Sequence, residues 1–410
     1  MRDALLLAVA AWLIAGCSIT TREPADDTSA ALDDFTSVKI ALGAEEIVFR
    51  WKTDRCEDVD IPDVMARAVR RRGEIVLFSG TAPRNYYSYG PDFDRLKRSC
   101  APALISPDEW TADSFRNHWW ITSVYSDDGD TIHALVHNEY HDPVAANCKP
   151  ADTSSRNRCW YNAIIYAVSH DGGRSFDAPP PPDHLVAAPP QKWDPTAGHQ
   201  GRGRPSTAPP IHGYLEPSNI IRGPDGAFYS AFFAAVQLGT EARGGTCLMR
   251  ASDVSVPSSW RLWDGQGFNI VASNPYVSPE APPCAFLSPE ALGGLRGSLT
   301  YNTYLRRYML VGISEVRPAG GTRVCGIFYS LSQDLITWST RQLMKPGPLP
   351  WCPGRYRQRA DWFPSIIDHE DTSVTFENAG QTPHLYFTRW NAELFDRDLL
   401  RIPLKIRKSR

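Results

Sequence analysis

No amphipathic stretch of helical period and useful length occurs in the 410 residues, which argues against a helical architecture. Neither sign of charge dominates. Lys and Arg number 43 and Asp and Glu 46, for a net charge of −3 with the signs scattered, so no nucleic-acid surface is expected. The one arginine run, Arg70-Arg71-Arg72, is expected to lie at a solvated strand end or turn. The apolar run Ala4 to Ala15 falls short of the about 20 residues that span a membrane. There is no Cys-x-x-Cys, so nothing indicates a zinc site and no metal is assigned.

What is present favours strands. The chain has 29 Gly, 34 Pro and 11% aromatics, the composition of many short strands joined by turns. Its length would hold two or three domains, or one large all-β domain. Arg2, the apolar core, and Leu13-Ile14-Ala15-Gly16-Cys17 together have the form of a signal peptide. Their end resembles a bacterial lipobox, which implies lipidation of Cys17, export, and a lipid anchor in the cell envelope. Residues 1–17 are therefore assigned to the signal, 18–34 to a flexible tether, and 35–410 to a single domain. Setting Cys17 aside leaves eight of the nine cysteines, an even number in an exported chain. Eight allow 105 connectivities. Their grouping suggests local pairs: Cys56 with Cys100, Cys148 with Cys159, Cys247 with Cys284, and Cys325 with Cys352.

Residues 119–176 make the domain legible. Trp119 to Tyr125 is an apolar run, Ser126-Asp127-Asp128-Gly129-Asp130 is a turn, and Ile132 to His141 alternates as a strand should. After the loop bounded by Cys148 and Cys159 comes Asn162 to Val168, ending in Ser169-His170-Asp171-Gly172-Gly173-Arg174-Ser175-Phe176. That ending resembles the Asp box of sialidases, the tight turn between the third and fourth strands of a propeller blade. Ser332-Gln333-Asp334-Leu335-Ile336-Thr337-Trp338 is similar, and Ser252-Asp253 with Ser259-Trp260 is a stretched version. Asp171 and Asp334 are expected to hold turns at the periphery.

Comparable units recur. Val64–Val69, the turn Arg72-Gly73 and Glu74–Ser79 open the first. Tyr214–Ile221, Ala227–Val236 and Thr246–Arg250 belong to the third. Gly297–Asn302, Arg307–Ile313 and Cys325–Ser330 belong to the fourth, and Asp361–Asp368, His384–Trp390 and Leu399–Ile406 to the fifth. The N-terminal strands within 38–51 would complete the fifth and close the ring. Residues 179–210, rich in proline, are expected to lack regular structure. The expected fold is all-β, a five-bladed β-propeller. The alternative is a six-bladed, sialidase-like ring whose sixth blade is built from 250–290.

Blade starts then narrow the chemistry. Asp60 and Asp63 precede the first blade, Glu216 opens the third, and Asp361 opens the fifth. This pattern resembles the five-bladed glycosidases of the arabinanase, xylosidase and furanosidase group. The resemblance implies a general base at Asp63 (or Asp60) and a general acid at Glu216. A third carboxylate would open blade two, but Trp119-Trp120-Ile121 has none and Asp113 is the nearest; Glu139 is the substitute. Two carboxyls of different pKa are what glycoside hydrolysis requires. His137, Glu139 and His141 share one strand face and suit a hydrogen-bonding wall for sugar hydroxyls. Asn138, Tyr140, Asn219, Trp120, Asn302, Asp361, Trp362 and Arg389 complete the expected sugar-binding set, and Trp119 and Tyr214 are further aromatics near blade starts. No cofactor is expected, although two imidazoles and a carboxylate at this spacing leave a divalent cation open.

Three functions remain in view: an inverting glycoside hydrolase, a non-catalytic glycan-binding lipoprotein, and a polysaccharide lyase using His137 or Tyr140. A carbohydrate partner, membrane attachment through Cys17 and a monomeric state are expected. No Phe-Arg-Ile-Pro start or arginine triad marks a sialidase.

Overall fold

The computed structural model describes residues 38–141, 160–193, 211–238, 241–318, 320–352, 359–391, 393 and 395–408. Nearly every described element is a strand. The two α-helices among the described residues, Trp51–Asp54 and Pro289–Leu292, are four residues each. Among the described residues no helix is long and apolar enough to cross a membrane.

The strands form antiparallel units in chain order. The first is a meander of Arg67–Arg71, Glu74–Phe78, Arg84–Gly90 and Lys97–Ile105. Its opening hairpin turns through Arg72 and Gly73, both at positive φ (46° and 84°), as a two-residue turn matched to strand twist requires. The second joins His118–Tyr125, Ile132–His141, Trp160–Ser169 and Leu185–Ala187. The third runs from Ile211–Leu215 and Ile221–Arg222 through Phe228–Leu238 and Glu241–Ala251 to Arg261–Trp263 and Phe268–Ile270. Parallel pairing of Ile211–Gly213 with Trp160–Asn162 merges the second and third into one ten-stranded sheet. The fourth comprises Gly297–Asn302, Arg307–Val316, Val324–Ser332 and Gln342–Pro346. The fifth comprises Ala360–Ile367, His384–Trp390 and Arg397–Lys408. The chain's other end completes it: Val38–Leu42 and Glu46–Phe49 both pair antiparallel with Arg397–Lys408.

Successive units bury their faces against each other. One apolar cluster joins Val69, Val76 and Phe78 of the first unit to Ile121, Val136 and Ala163 of the second. Another joins Ile164 and Tyr166 to Phe232 and Met249, and a third joins Leu248 to Leu299, Leu310 and Phe328. A fourth brings Phe49, Ile367 and Tyr386 of the fifth unit onto Ala66 and Ile75 of the first. A strand covered on both sides must be apolar nearly throughout. Trp160–Ser169 is such a strand, with eight of its ten residues buried.

The inner strands are also stitched to one another. Arg67 donates from Nε to the Thr122 carbonyl (2.8 Å) and from Nη2 to the Gly297 carbonyl (2.7 Å). Ser123 Oγ donates to the Ser218 carbonyl. Ser298 Oγ donates to Asn219 Oδ1 at 3.1 Å and accepts from the Ile366 amide at 3.0 Å. Every unit is reached.

Four expectations change. Tyr214–Ile221 is not one run, because Glu216 takes φ 50° and Pro217 has no amide hydrogen to continue a ladder. Within 179–210, Leu185–Ala187 pairs with Ile164–Ile165, while 194–210 lies outside the described residues. Residues 250–290 form no sheet of their own, since their strands are the outer edge of the third unit. Arg71 is buried, not solvated: it donates to the Gly172 carbonyl and pairs with Glu74.

Candidate active site

Strand polarity gathers the starts of the inner strands and the ends of their neighbours. Asp63 precedes Arg67–Arg71 and keeps about 22% of its side chain exposed. Arg397, opening the last strand of the fifth unit, donates to its Oδ1. Thr81 Oγ1 donates to Oδ2 at 3.1 Å and itself accepts from Trp120 Nε1 at 3.2 Å. The Arg397 guanidinium lies 4.2 Å from the centroid of the Trp390 ring.

Beside this stands the end of Ile132–His141. Side chains alternate across a strand, which separates His137, Glu139 and His141 from Asn138 and Tyr140. His141 Nε2 donates to Glu139 Oε2 at 3.0 Å, and His137 Nε2 lies 3.8 Å from Oε1. The His141 ring is sandwiched between His118 (4.4 Å) and Trp160 (5.1 Å). His137 Nε2 also donates to Asn162 Oδ1 at 3.0 Å, an amide oriented by its own bond to the His212 carbonyl. Both histidines thus spend a ring N–H on internal partners.

The electrostatics divide two carboxyls. Burial pushes the Asp63 carboxyl up; Arg397 opposes this, the Glu139 charge adds to it, and the outcome is a raised pKa. Burial works in the same sense on Glu139, but the His141 hydrogen bond and the fields of His137, His141 and His118 outweigh it and hold Glu139 below its ordinary value. A general base at Asp63 would ordinarily be kept ionised, and its environment pulls the other way.

The remaining expected residues divide by position. Glu216, two residues before Ser218, is ion-paired with Arg296 Nε, and the Arg296 guanidinium lies 4.3 Å from the Phe233 centroid. Asp361 is buried between Lys345 Nζ (2.6 Å) and Arg389 Nε (2.8 Å), with Glu45 also on Arg389. Trp362 packs between Trp351 and Trp390. These lie at the same strand ends as Asp63. Other residues are engaged elsewhere. Asp60 is fully buried and paired with Arg98 as it anchors the Cys56 amide, a structural role. Asn138 accepts from the Asn117 amide and Trp119 Nε1. Tyr140 meets Trp193 edge-on, away from His137. Asn219 is occupied by Ser298 and the Leu299 amide. Asn302 closes the far end of its strand, bonded to the Leu305 amide and the Gly380 carbonyl.

Arg397, Thr81, Arg296, His118 and Lys345 are members that sequence reasoning passed over. Arg397 carries the one usable signal, an Arg-Asp pair opening the strand that continues as Leu399-Leu400-Arg401-Ile402. Among the described residues, Glu315, Cys325 and Cys352 bring three potential metal ligands together, but the two sulfurs are bonded to each other. The bridges Cys56–Cys100, Cys247–Cys284 and Cys325–Cys352 are formed, while Cys148 and Cys159 lie outside the described residues.

No family model matches the chain, and no curated protein matches it in sequence. Solved structures similar to it include several glycoside hydrolases and the polysaccharide lyase Uly1 (8% identity at TM-score 0.30, over 82% of this chain and 57% of that one). An endo-arabinase from Bacteroides thetaiotaomicron VPI-5482 shares 10% identity at TM-score 0.47, over 89% of this chain and 99% of that one. The α-L-arabinofuranosidase PaAbf62A from Podospora anserina shares 9% at TM-score 0.43, over 90% and 97%. The Bombyx mori GH32 β-fructofuranosidase BmSUC1 shares 13% at TM-score 0.42, over 87% and 61%. Likenesses this distant assign neither activity nor substrate to this chain.

Proposed function

We propose that this chain is a five-bladed β-propeller glycoside hydrolase, cleaving a polysaccharide or oligosaccharide by single-displacement, inverting acid–base chemistry. The arrangement that carries the proposal is Asp63 itself, partly exposed at the start of an inner strand and bonded to Thr81 and Arg397, where burial and the Glu139 charge push its carboxyl up. A carboxyl whose pKa is raised, so that it holds its proton to higher pH, is what a glycosidic leaving oxygen needs.

Asp63 is accordingly the acid, the reverse of its expected role. It delivers its proton to the departing oxygen as the C–O bond breaks, and Arg397 and Thr81 stabilise the carboxylate left behind. Glu216, ion-paired with Arg296 two units away, is the base that takes a proton from the attacking water. Burial, aided by the Glu139 charge, favours the protonated form of Asp63, and His141 and His137 favour the charged form of Glu139.

Leaving-group dependence tests the roles. Asp63→Asn should lower turnover by at least about 10²-fold on natural linkages. It should cost far less on aryl glycosides whose phenolate departs unaided. Glu216→Gln should lower both alike. Near-normal turnover in both variants on a confirmed substrate refutes the assignment, and a rise in absorbance at 235 nm would show elimination instead. As part of the same proposal, the protein is exported, monomeric and anchored through a lipid on Cys17. Cys17→Ser should move it from the membrane to the soluble fraction, and continued membrane attachment rejects the anchor.

A further inference from the structure

The contacts around Asp63 continue outward on two sides. On one, Thr81 leads to Trp120, whose ring lies 6.1 Å from His118 and nearly parallel to it. His118 meets Trp110 edge-on at 5.8 Å, and Trp110 is 46% exposed. On the other, Arg397 leads to Trp390, which packs 5.2 Å from Trp362. Trp362 meets Trp351 edge-on at 5.7 Å, and Trp351 is 41% exposed. An unbroken path of touching side chains therefore runs from one exposed tryptophan to another. The candidate acid sits near its middle.

We propose that this path is a cleft for a linear glycan continuing past the cleaved bond in both directions, with Trp110 and Trp351 as its outer stacking platforms, so that cleavage falls within chains. The proposal rests on the hydrolase reading for its central bond and goes beyond it in naming the mode of action and two new binding residues.

Isolated exposed tryptophans are ordinary on a protein surface. These two terminate opposite arms of one run that converges on a carboxyl. Pyranose and furanose rings offer apolar C–H faces that pack on indoles, and rim hydroxyls that bond to polar groups between them. The path has that alternation, with His118, Thr81, Asp63 and Arg397 interposed among the indoles. Arg397 is the only arginine or lysine on the path, which therefore lacks the cluster of cations that a polyphosphate needs. An enzyme trimming single sugars from chain ends has use for one arm only.

The test uses affinity electrophoresis in gels containing linear arabinan, xylan or polygalacturonate, with the corresponding disaccharides as competitors. Trp110→Ala and Trp351→Ala, each combined with Asp63→Asn, should weaken binding to the retained polymer by about tenfold, the usual cost of truncating an aromatic anchor. The loss should be smaller for the disaccharide, and Trp→Phe should recover most of it. Wild-type protein should reduce polymer viscosity well before reducing ends accumulate. Retention indifferent to both substitutions, equal losses on polymer and disaccharide, or viscosity falling only in step with reducing ends overturns the proposal. Cleavage of short glycosides without polymer binding overturns the cleft and leaves the hydrolase standing. Tryptophan-dependent polymer binding without cleavage supports the cleft and removes the hydrolase. Because both indoles are exposed, the Ala variants should melt with their parent; if one does not, the Phe variant decides.

Discussion

The Arg67 side chain donates a 2.7 Å hydrogen bond to the carbonyl oxygen of Gly297, 230 residues further along the chain and in the fourth unit. The same guanidinium holds Thr122 of the second unit and its neighbouring carbonyl at Ala66. A buried cation bonded to carbonyls of different units acts as a strut between inner strands. The fork geometry of arginine is what allows it.

Arg67→Met should therefore destabilise the fold by about 2–4 kcal/mol, because buried carbonyls lose a donor while the cost of burying a charge is relieved. Arg67→Lys should also destabilise, since one ammonium cannot serve carbonyls so placed. Urea unfolding measures both. An unchanged midpoint in the Met variant would remove the strut from the account.

The pH profile of kcat/KM should bear the mark of Glu139. With Asp63 as acid, the alkaline limb belongs to Asp63 and lies above the value of an ordinary aspartate. Glu139, held below its ordinary value, ionises readily, and its charge favours the protonated form of Asp63. Glu139→Gln removes that charge, so the proton leaves Asp63 more readily and the limb moves to lower pH. A limb that stays in place, or moves upward, contradicts the coupling.

The disulfides should differ in accessibility. Cys247 and Cys284 are buried within an apolar cluster, whereas Cys100 is exposed and Cys56 half-buried. Mild reductant followed by alkylation should label Cys56 and Cys100 first, with Cys247 and Cys284 protected until the fold opens. Replacing the buried pair by alanine should cost about 2–4 kcal/mol. Non-reducing peptide mapping should find Cys148 joined to Cys159; either one free, or joined elsewhere, rejects that pairing.

Removal of the N-terminal strand should open the fifth unit. Val38–Leu42 pairs along Leu404–Lys408, and the Val38 carbonyl accepts from Tyr329 of the fourth unit. A chain beginning at Gly43 keeps the pairing of Glu46–Phe49 but leaves residues 404–408 with an unpaired edge, which invites aggregation. A chain beginning at Val38 is the control. The shorter chain should melt lower and be proteolysed faster near 397–408, and equal behaviour of the two would show that the strand is dispensable.

Much of the fold was legible locally. Alternation over Ile132–His141, the Arg72-Gly73 turn and the strand Gly297–Asn302 each depend on residues a few positions apart, and so did the three bridges seen between neighbouring cysteine groups. The third and fourth strands of the first unit were missed because Arg84–Gly90 and Lys97–Ile105 are too polar to alternate visibly. Glu216 looked like part of a strand because a left-handed residue before proline resembles any other polar position until its neighbours are known.

The site is a different matter. Sequence order nominated Asp63, Glu139 and Glu216 as carboxylates near strand ends, since strand polarity is inherited from chain direction. It could not say that Asp63 would meet Arg397, 334 residues away, or that His141 would spend its N–H on Glu139. Nor could it place Asn302 at the far end of its strand, or bury Asp60 against Arg98. Those outcomes depend on which strands the sheets set side by side. The chain by itself determined an all-β protein and the pool of groups available for chemistry. Tertiary structure alone decided their protonation and partners, because a carboxyl's pKa is set by burial and by charges within a few ångströms, wherever in the chain they originate.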